Sequence, residues 1–173
     1  DLAYYRELYE VDRESKIDSL KELRPKYKTK SGRVVYGGGG ITPDIYIPFK
    51  NTINLETAKV LRSPKRPFFN FASNYASANK TEFSSFNKFK DSWRMSNLLF
   101  DKFLMHLEQD SIDVMKDSLY SNMDYIENRI KSEIAGSIWG KNESANLRLL
   151  MDRQVINALK HFNEADAFVK SIN

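Results

Sequence analysis

The sequence predicts a mainly α-helical fold, in which a bundle of five to seven helices follows a short β segment. Two patterns indicate this. Five of the seven glycines lie between residues 32 and 40, next to the β-type runs. Beyond residue 52, apolar residues recur every three or four positions, as they do on one face of a helix. Hydrophobic residues make up 41% of the 173 residues, which is enough apolar material for a packed core.

Changes in composition along the chain indicate three segments. They are a charged insertion or linker over residues 1–26, a β segment over residues 27–50, and a C-terminal helical domain over residues 51–173. Helical spacing of apolar residues over 2–8 predicts a short helix, and Pro25 stops any helix before the β segment. Because the chain begins with Asp1 and not Met, we expect it to be a fragment of a longer protein.

The stretch YKTKSGRVVYGGGGITPDIYIP, residues 27–48, carries the β signals. Two β-type runs, residues 27–29 and 34–36, flank a turn in which Gly32 supplies the positive φ that a tight hairpin needs. The chain is extended again after the glycines. Pro43 confines that strand to a sheet edge, or to starting after the proline, because proline cannot donate to a ladder.

The helical region begins with recognisable boundary signals. Asn54 is a good N-cap residue, Pro64 ends the helix that follows, and Pro67 suits the first position of the next helix. A buried helix is predicted over residues 119–139, with Gly140 just beyond its end. Its apolar residues follow near-regular three-four spacing: Leu119, Met123, Ile126, Ile130, Ile134 and Ile138.

The glycine run Gly37–Gly40 has two interpretations. A phosphate-binding loop needs spaced glycines, or Gly-Lys-Ser/Thr, at the start of a helix, whereas this run leads into Ile-Thr-Pro-Asp and a strand. Glycine costs about 0.5–1 kcal/mol relative to alanine in regular structure. Four in succession therefore indicate positive φ angles or a close passage of the backbone. We expect a conformational requirement here, and no bound phosphate or cofactor.

The side chains that usually carry chemistry are few. The chain has no cysteine, which excludes disulfides, thiolate catalysis and cysteine-based metal sites. His106 and His161 are far apart, and neither has a histidine or glutamate four residues on that would form a metal site. Asp110 is placed to pair with His106. No Gly-x-Ser-x-Gly elbow occurs in the sequence to support a serine nucleophile. We therefore predict no catalytic residue, no cofactor site and no metal site.

The charge and the aromatic residues leave an alternative open. The net charge is +4, and cations crowd the hairpin region at Lys21, Arg24, Lys26, Lys28, Lys30 and Arg33. This patch either meets an anionic partner or protects an exposed strand edge from pairing. The aromatic residues between 68 and 93 are interleaved with lysines, as in surfaces that stack bases. Their helical spacing favours a core or an interface, so no nucleic acid is expected.

The opening stretch resembles the last part of the catalytic domain of carboxy-terminal processing (tail-specific) serine peptidases. That family has tyrosine-x-threonine-x-serine-glycine-arginine, then a glycine and isoleucine-x-proline-aspartate. The matching positions are Tyr27, Thr29, Ser31, Gly32, Arg33, Gly40, Ile41, Pro43 and Asp44. Two later stretches, residues 130–140 and 149–162, also resemble a long-tailed bacterial branch. The resemblance is strong over residues 27–48 and weak over residues 50–120.

The resemblance implies a serine endopeptidase that acts near protein C-termini, with a serine nucleophile and a lysine general base. Both family motifs lie upstream in the family's chain order and do not occur here. Lys28 and Lys30 are not the family's base, because the Gly-Lys-Gly continuation is missing. The fragment alone is expected to be inactive. The residues assigned a structural role are Gly32, Gly37, Gly38, Gly39, Gly40, Pro43 and Asp44.

The chain is thus expected to be the non-catalytic C-terminal part of such a peptidase, located in the cell envelope or periplasm. Its helical part would position, gate or oligomerise the protease, or dock an adaptor. Expected partners are the upstream peptidase and PDZ domains of the same polypeptide, the protein substrates of the parent enzyme, and a homo-oligomer or an adaptor. The alternative is a stand-alone helical interaction module that uses the basic hairpin to bind an anionic partner.

Overall fold

A computed structural model describes residues 23–30, 32–38, 43–49 and 53–170. Contacts divide the chain into two units, residues 51–152 and residues 1–50 together with 153–173. Residues 153–170, which the sequence pattern included in the helical segment, are mainly helical. The short helix expected over residues 2–8 lies outside the described residues, as do Gly39 and Gly40.

The described residues are mainly helical, with a short two-stranded antiparallel β segment before the helices, and the predicted fold class is confirmed. The strands are β1 (Lys26–Lys28) and β2 (Val34–Tyr36). The helices are α1 (Leu55–Arg62), α2 (Pro67–Asn79), α3 (Phe86–Ser92), α4 (Asn97–Gln109), α5 (Lys116–Tyr120), α6 (Met123–Ile138), α7 (Lys141–Leu149), α8 (Arg153–Leu159) and α9 (Phe162–Lys170), with a 3₁₀ turn at Lys80–Glu82.

The described part of the chain thus holds nine α-helices where five to seven were expected, because two predicted runs are interrupted. The run over 119–139 breaks at Ser121 and Asn122, where the Asn122 N–H donates to the carbonyl of Leu119. The last helical stretch is split into α7, α8 and α9 by short turns. Apolar spacing continues across these breaks, so periodicity alone does not locate them.

The core of the unit 51–152 lies between α2, α4 and α6. Phe68 stacks on Phe103 with ring centroids 5.2 Å apart. The face predicted for the buried helix is confirmed, since Ile126, Ile130 and Ile134 are each fully buried on α6. Burying a side chain of this size stabilises the folded state by about 1.5–3 kcal/mol. The predicted buried face of α6 therefore contributes much of the packing in the unit 51–152.

The aromatic residues before Trp93 form core, as their spacing favoured. Phe89 and Trp93 are buried, and the Phe89 ring lies 5.2 Å from the ring of Trp139. Phe69 is an exception among these aromatic residues, because its side chain is exposed. The Arg66 guanidinium lies 4.3 Å above the centre of its ring. None of the helices in the described ranges has the length and apolar composition needed to cross a bilayer.

Asn54 confirms the predicted N-cap of α1, since its side-chain oxygen accepts from the Thr57 N–H at 2.9 Å. The same residue also ties α1 to the break between α5 and α6. Its backbone N–H donates to Asn122 Oδ1 at 2.8 Å, and the Thr57 hydroxyl donates to the same oxygen at 3.1 Å. These bonds satisfy polar groups that would otherwise be costly to bury.

Candidate functional site

The hairpin formed by β1 and β2 contains several described residues that carry the peptidase resemblance, among them Tyr27, Thr29, Gly32 and Arg33. β1 and β2 pair with Lys26 opposite Tyr36 and Lys28 opposite Val34. Thr29 closes the turn through three bonds. Its N–H donates to the Arg33 carbonyl at 2.9 Å, its carbonyl accepts from the Gly32 N–H at 2.9 Å, and its hydroxyl accepts from the Arg33 N–H at 3.1 Å. A threonine at this position therefore has a specific structural task.

Arg33 and Asp44 connect the two halves of the motif. The Arg33 guanidinium lies 3.5 Å from the Asp44 carboxylate, and both side chains are partly exposed. Such an exposed pair contributes about 0–1 kcal/mol to stability. Its main effect is geometric, because it holds the segment after the glycines near the turn of the hairpin.

The described glycines of the motif adopt the conformations expected of them. Gly32 has φ 82° and Gly38 has φ 79°, a region that other residues rarely adopt. Gly37 meets a different constraint, because a Cβ at this position would collide with the Tyr27 ring. Two distinct reasons for glycine thus stand side by side in the run.

The two lysines of the hairpin do not have the buried setting of a catalytic base. Lys28 and Lys30 are both exposed, whereas a lysine that acts as general base depends on desolvation. Ser31 lies outside the described residues. The motif positions described here therefore have structural contacts, and no catalytic role is assigned to them.

The two histidines lie in separate units and have separate neighbours. His106 Nε2 lies 3.7 Å from Asp110 Oδ2, which places the two in the predicted pair. Within the described ranges, neither atom has a hydrogen-bond partner, although both are buried. His161 Nδ1 lies 3.2 Å from Glu164 Oε1 on the surface. No group of three or more His, Asp or Glu side chains in the described residues could hold a metal ion.

Lys131 is a buried polar residue that the sequence analysis did not identify. It is 6% exposed, and its Nζ donates to the carbonyls of Lys90 at 2.6 Å and Trp93 at 3.0 Å. Burial lowers the pKa of Lys131, and the nearby Arg94 lowers this pKa further. Its partners are backbone carbonyls distant in sequence, so no local pattern around Lys131 predicts its burial.

Comparison with protein families finds a match in the helical region. Residues 60–140 match a family of unknown function, DUF8443. The matched span lies within the unit 51–152 and does not include the hairpin. No curated protein and no solved structure matches the chain.

Proposed function

We propose that this chain is the non-catalytic C-terminal part of a carboxy-terminal processing serine endopeptidase, whose serine and lysine lie upstream of it. In this proposal the hairpin is the end of the peptidase core, and the helical unit positions, gates or oligomerises the protease or docks an adaptor. The parent enzyme would act in the cell envelope, on the C-terminal regions of protein substrates.

The observation that carries the proposal is the arrangement of the motif in space. The Ser-Gly-Arg and Pro-Asp parts of the resemblance are separated by nine residues, yet Arg33 and Asp44 form an ion pair. Thr29 and Gly32 hold the turn that presents Arg33. If the sequence resemblance arose by chance, these residues would have no reason to contact one another. The contacts therefore favour a motif with a common structural role.

The chain itself should have no peptidase activity. We would incubate it with an unfolded protein that ends in an apolar tail and follow intact mass by mass spectrometry. No cleavage is expected, because neither family motif occurs in its 173 residues. Cleavage that stops when a serine of this chain is changed to alanine would contradict the proposal.

The alternative function, an interaction module with a basic hairpin, has one observation in its favour. Lys26 and Lys28 are both exposed and lie two residues apart on β1, hence on the same face. This alternative predicts binding to heparin or another polyanion that weakens steeply with salt and is lost in Lys26→Gln/Lys28→Gln. The peptidase proposal predicts that this double substitution leaves the chain's folding and its lack of cleavage unchanged.

A further inference from the structure

An open cavity of about 630 Å³ lies on the unit 51–152, where α4 ends and a short loop leads to α5. We call it the α4–α5 groove. Its apolar lining residues are Leu104, Met105, Ile112 and Val114. Met105 is 58% exposed. A groove of this size, with an exposed flexible thioether, accommodates one or two apolar side chains of a partner.

The rim of the α4–α5 groove is acidic, although the chain as a whole is basic at +4. The charged lining residues are Asp101, Glu108, Asp113 and Lys116. Lys116 binds Asp101 at 2.8 Å, so these two charges offset each other. The carboxylates of Glu108 and Asp113 have no side-chain partner within the described ranges. The groove therefore combines an apolar floor with two carboxylates that have no side-chain partner among the described residues.

Two neighbouring cations bind backbone oxygens of the loop and do not bind those carboxylates. The Lys59 ammonium donates to the backbone carbonyl of Asp113, and the Lys65 ammonium donates to the backbone carbonyl of Asp110. Both lysines are thus engaged with backbone oxygens of the loop. They fix the loop that forms one wall of the groove.

We propose that the α4–α5 groove docks a peptide segment of a partner protein, in which one or two large apolar side chains are flanked by lysine or arginine. The apolar side chains cover Met105 and the floor, and the cations meet Glu108 and Asp113. Complementary charge at such a rim increases specificity and the association rate. This inference goes beyond the proposed function, since it holds whether or not the parent polypeptide is a peptidase.

The test uses the full chain and three fluorescein-labelled peptides of about 12 residues: a leucine-lysine peptide, a leucine-glutamate peptide and a serine-lysine peptide. By fluorescence anisotropy, we expect the leucine-lysine peptide to bind with a Kd of about 10–100 μM. The other two should bind at least about tenfold more weakly, which corresponds to about 1.4 kcal/mol. Raising NaCl from about 50 to 500 mM should weaken the leucine-lysine complex, because exposed charges are screened.

Variants assign the binding to this groove. Met105→Ser, and separately Glu108→Gln with Asp113→Asn, should each weaken binding of the leucine-lysine peptide at least about fivefold, since both the apolar and the charged contacts are needed. Leu98→Ser is the matched control, because Leu98 is an exposed apolar residue on the same helix, 67% exposed, outside the groove lining. It should bind as the unchanged chain does.

Three results of the peptide-binding experiments would overturn the proposal. They are the lack of binding of the leucine-lysine peptide at about 1 mM, equal binding of all three peptides, and an equal loss in Leu98→Ser. Sedimentation of the unliganded chain tests whether a second copy of the chain occupies the groove. Self-association that is lost in Met105→Ser would assign the groove to a second copy of the chain and contradict a basic partner peptide.

Discussion

The ammonium of Lys131 donates a 3.0 Å hydrogen bond to the backbone carbonyl of Trp93, the residue at the C-terminal end of α3. A second bond of 2.6 Å reaches the carbonyl of Lys90 in the last turn of the same helix. Carbonyls at a helix C-terminus have no partner within their own helix and carry partial negative charge. Lys131 of α6 therefore caps α3 from a neighbouring helix.

Replacing Lys131 tests this capping role. Lys131→Ala should lower the free energy of unfolding by about 1–3 kcal/mol, because the Lys90 carbonyl loses the Lys131 donor in a part-buried setting. The Trp93 carbonyl keeps its second donor, the Arg94 guanidinium. Urea unfolding followed by tryptophan fluorescence is a suitable measurement, since both tryptophans, Trp93 and Trp139, lie in this unit. Lys102→Ala, at an exposed position of α4, is the control and should change stability little. Equal small effects would remove the capping role.

The same lysine should make stability depend on alkaline pH. Burial lowers the pKa of Lys131 below its ordinary value of 10.5, so the unfolded chain binds this proton more tightly than the folded chain. The free energy of unfolding contributed by Lys131 therefore rises with pH between the folded pKa and 10.5. Relative to Lys131→Met, the unchanged chain should gain stability as pH rises through that window. A difference that stays constant or falls would contradict the lowered pKa.

Ile130 should be among the most sensitive positions of the core. Ile130→Ala should cost about 2–5 kcal/mol, because the residue is fully buried and leaves a cavity. Ser137→Ala, at an exposed position of the same helix, is the matched control and should lie within about 0.5 kcal/mol. Thermal unfolding by circular dichroism compares the two. Similar melting temperatures would mean that this face of α6 is not the core.

The two described glycines of the run should respond differently to alanine. Gly38→Ala forces a Cβ into positive φ and should destabilise the hairpin by about 1–2 kcal/mol in any context. Gly37→Ala meets the Tyr27 ring, so its cost should largely disappear in the background Tyr27→Ala. Hydrogen exchange of the Gly37 amide, which donates to the Pro25 carbonyl at 2.8 Å, reports on the hairpin. Rescue of Gly38→Ala by Tyr27→Ala would contradict this account.

The glycine run should also not behave as a phosphate loop. Phosphate or ATP should leave the melting temperature unchanged, since only a ligand that prefers the folded state raises it. Differential scanning fluorimetry at increasing nucleotide concentration measures this. A saturable stabilisation that disappears in Gly38→Ala, with the fold intact, would favour the phosphate-binding interpretation instead.

Short-range sequence patterns predicted several features of this structure correctly. The cap at Asn54, the positive φ at Gly32 and the buried face around Ile130 each depend on residues within one turn of each other. Sequence patterns encode such short-range relationships directly.

The features that escaped sequence reasoning depend on distant partners. Lys131 donates to carbonyls 38 and 41 residues away. Every residue has a backbone carbonyl, so the sequence does not indicate which ones bind Lys131. The α4–α5 groove is formed by a helix end and the following loop, whose mutual arrangement depends on Lys59 and Lys65. The sequence did not predict the breaks that divide two helical runs into additional helices, because the apolar spacing continues across these breaks.

The native polypeptide that carries this chain tests the central claim most directly. It can be captured from its source cells with an antibody raised against residues 51–152, and its intact mass and cleavage of an apolar-tailed protein can then be measured together. The account predicts a polypeptide well above the 20.1 kDa of this chain, with serine-type cleavage near the C-terminus of the substrate. A native polypeptide of about that mass, without cleavage of the tailed substrate, would contradict it.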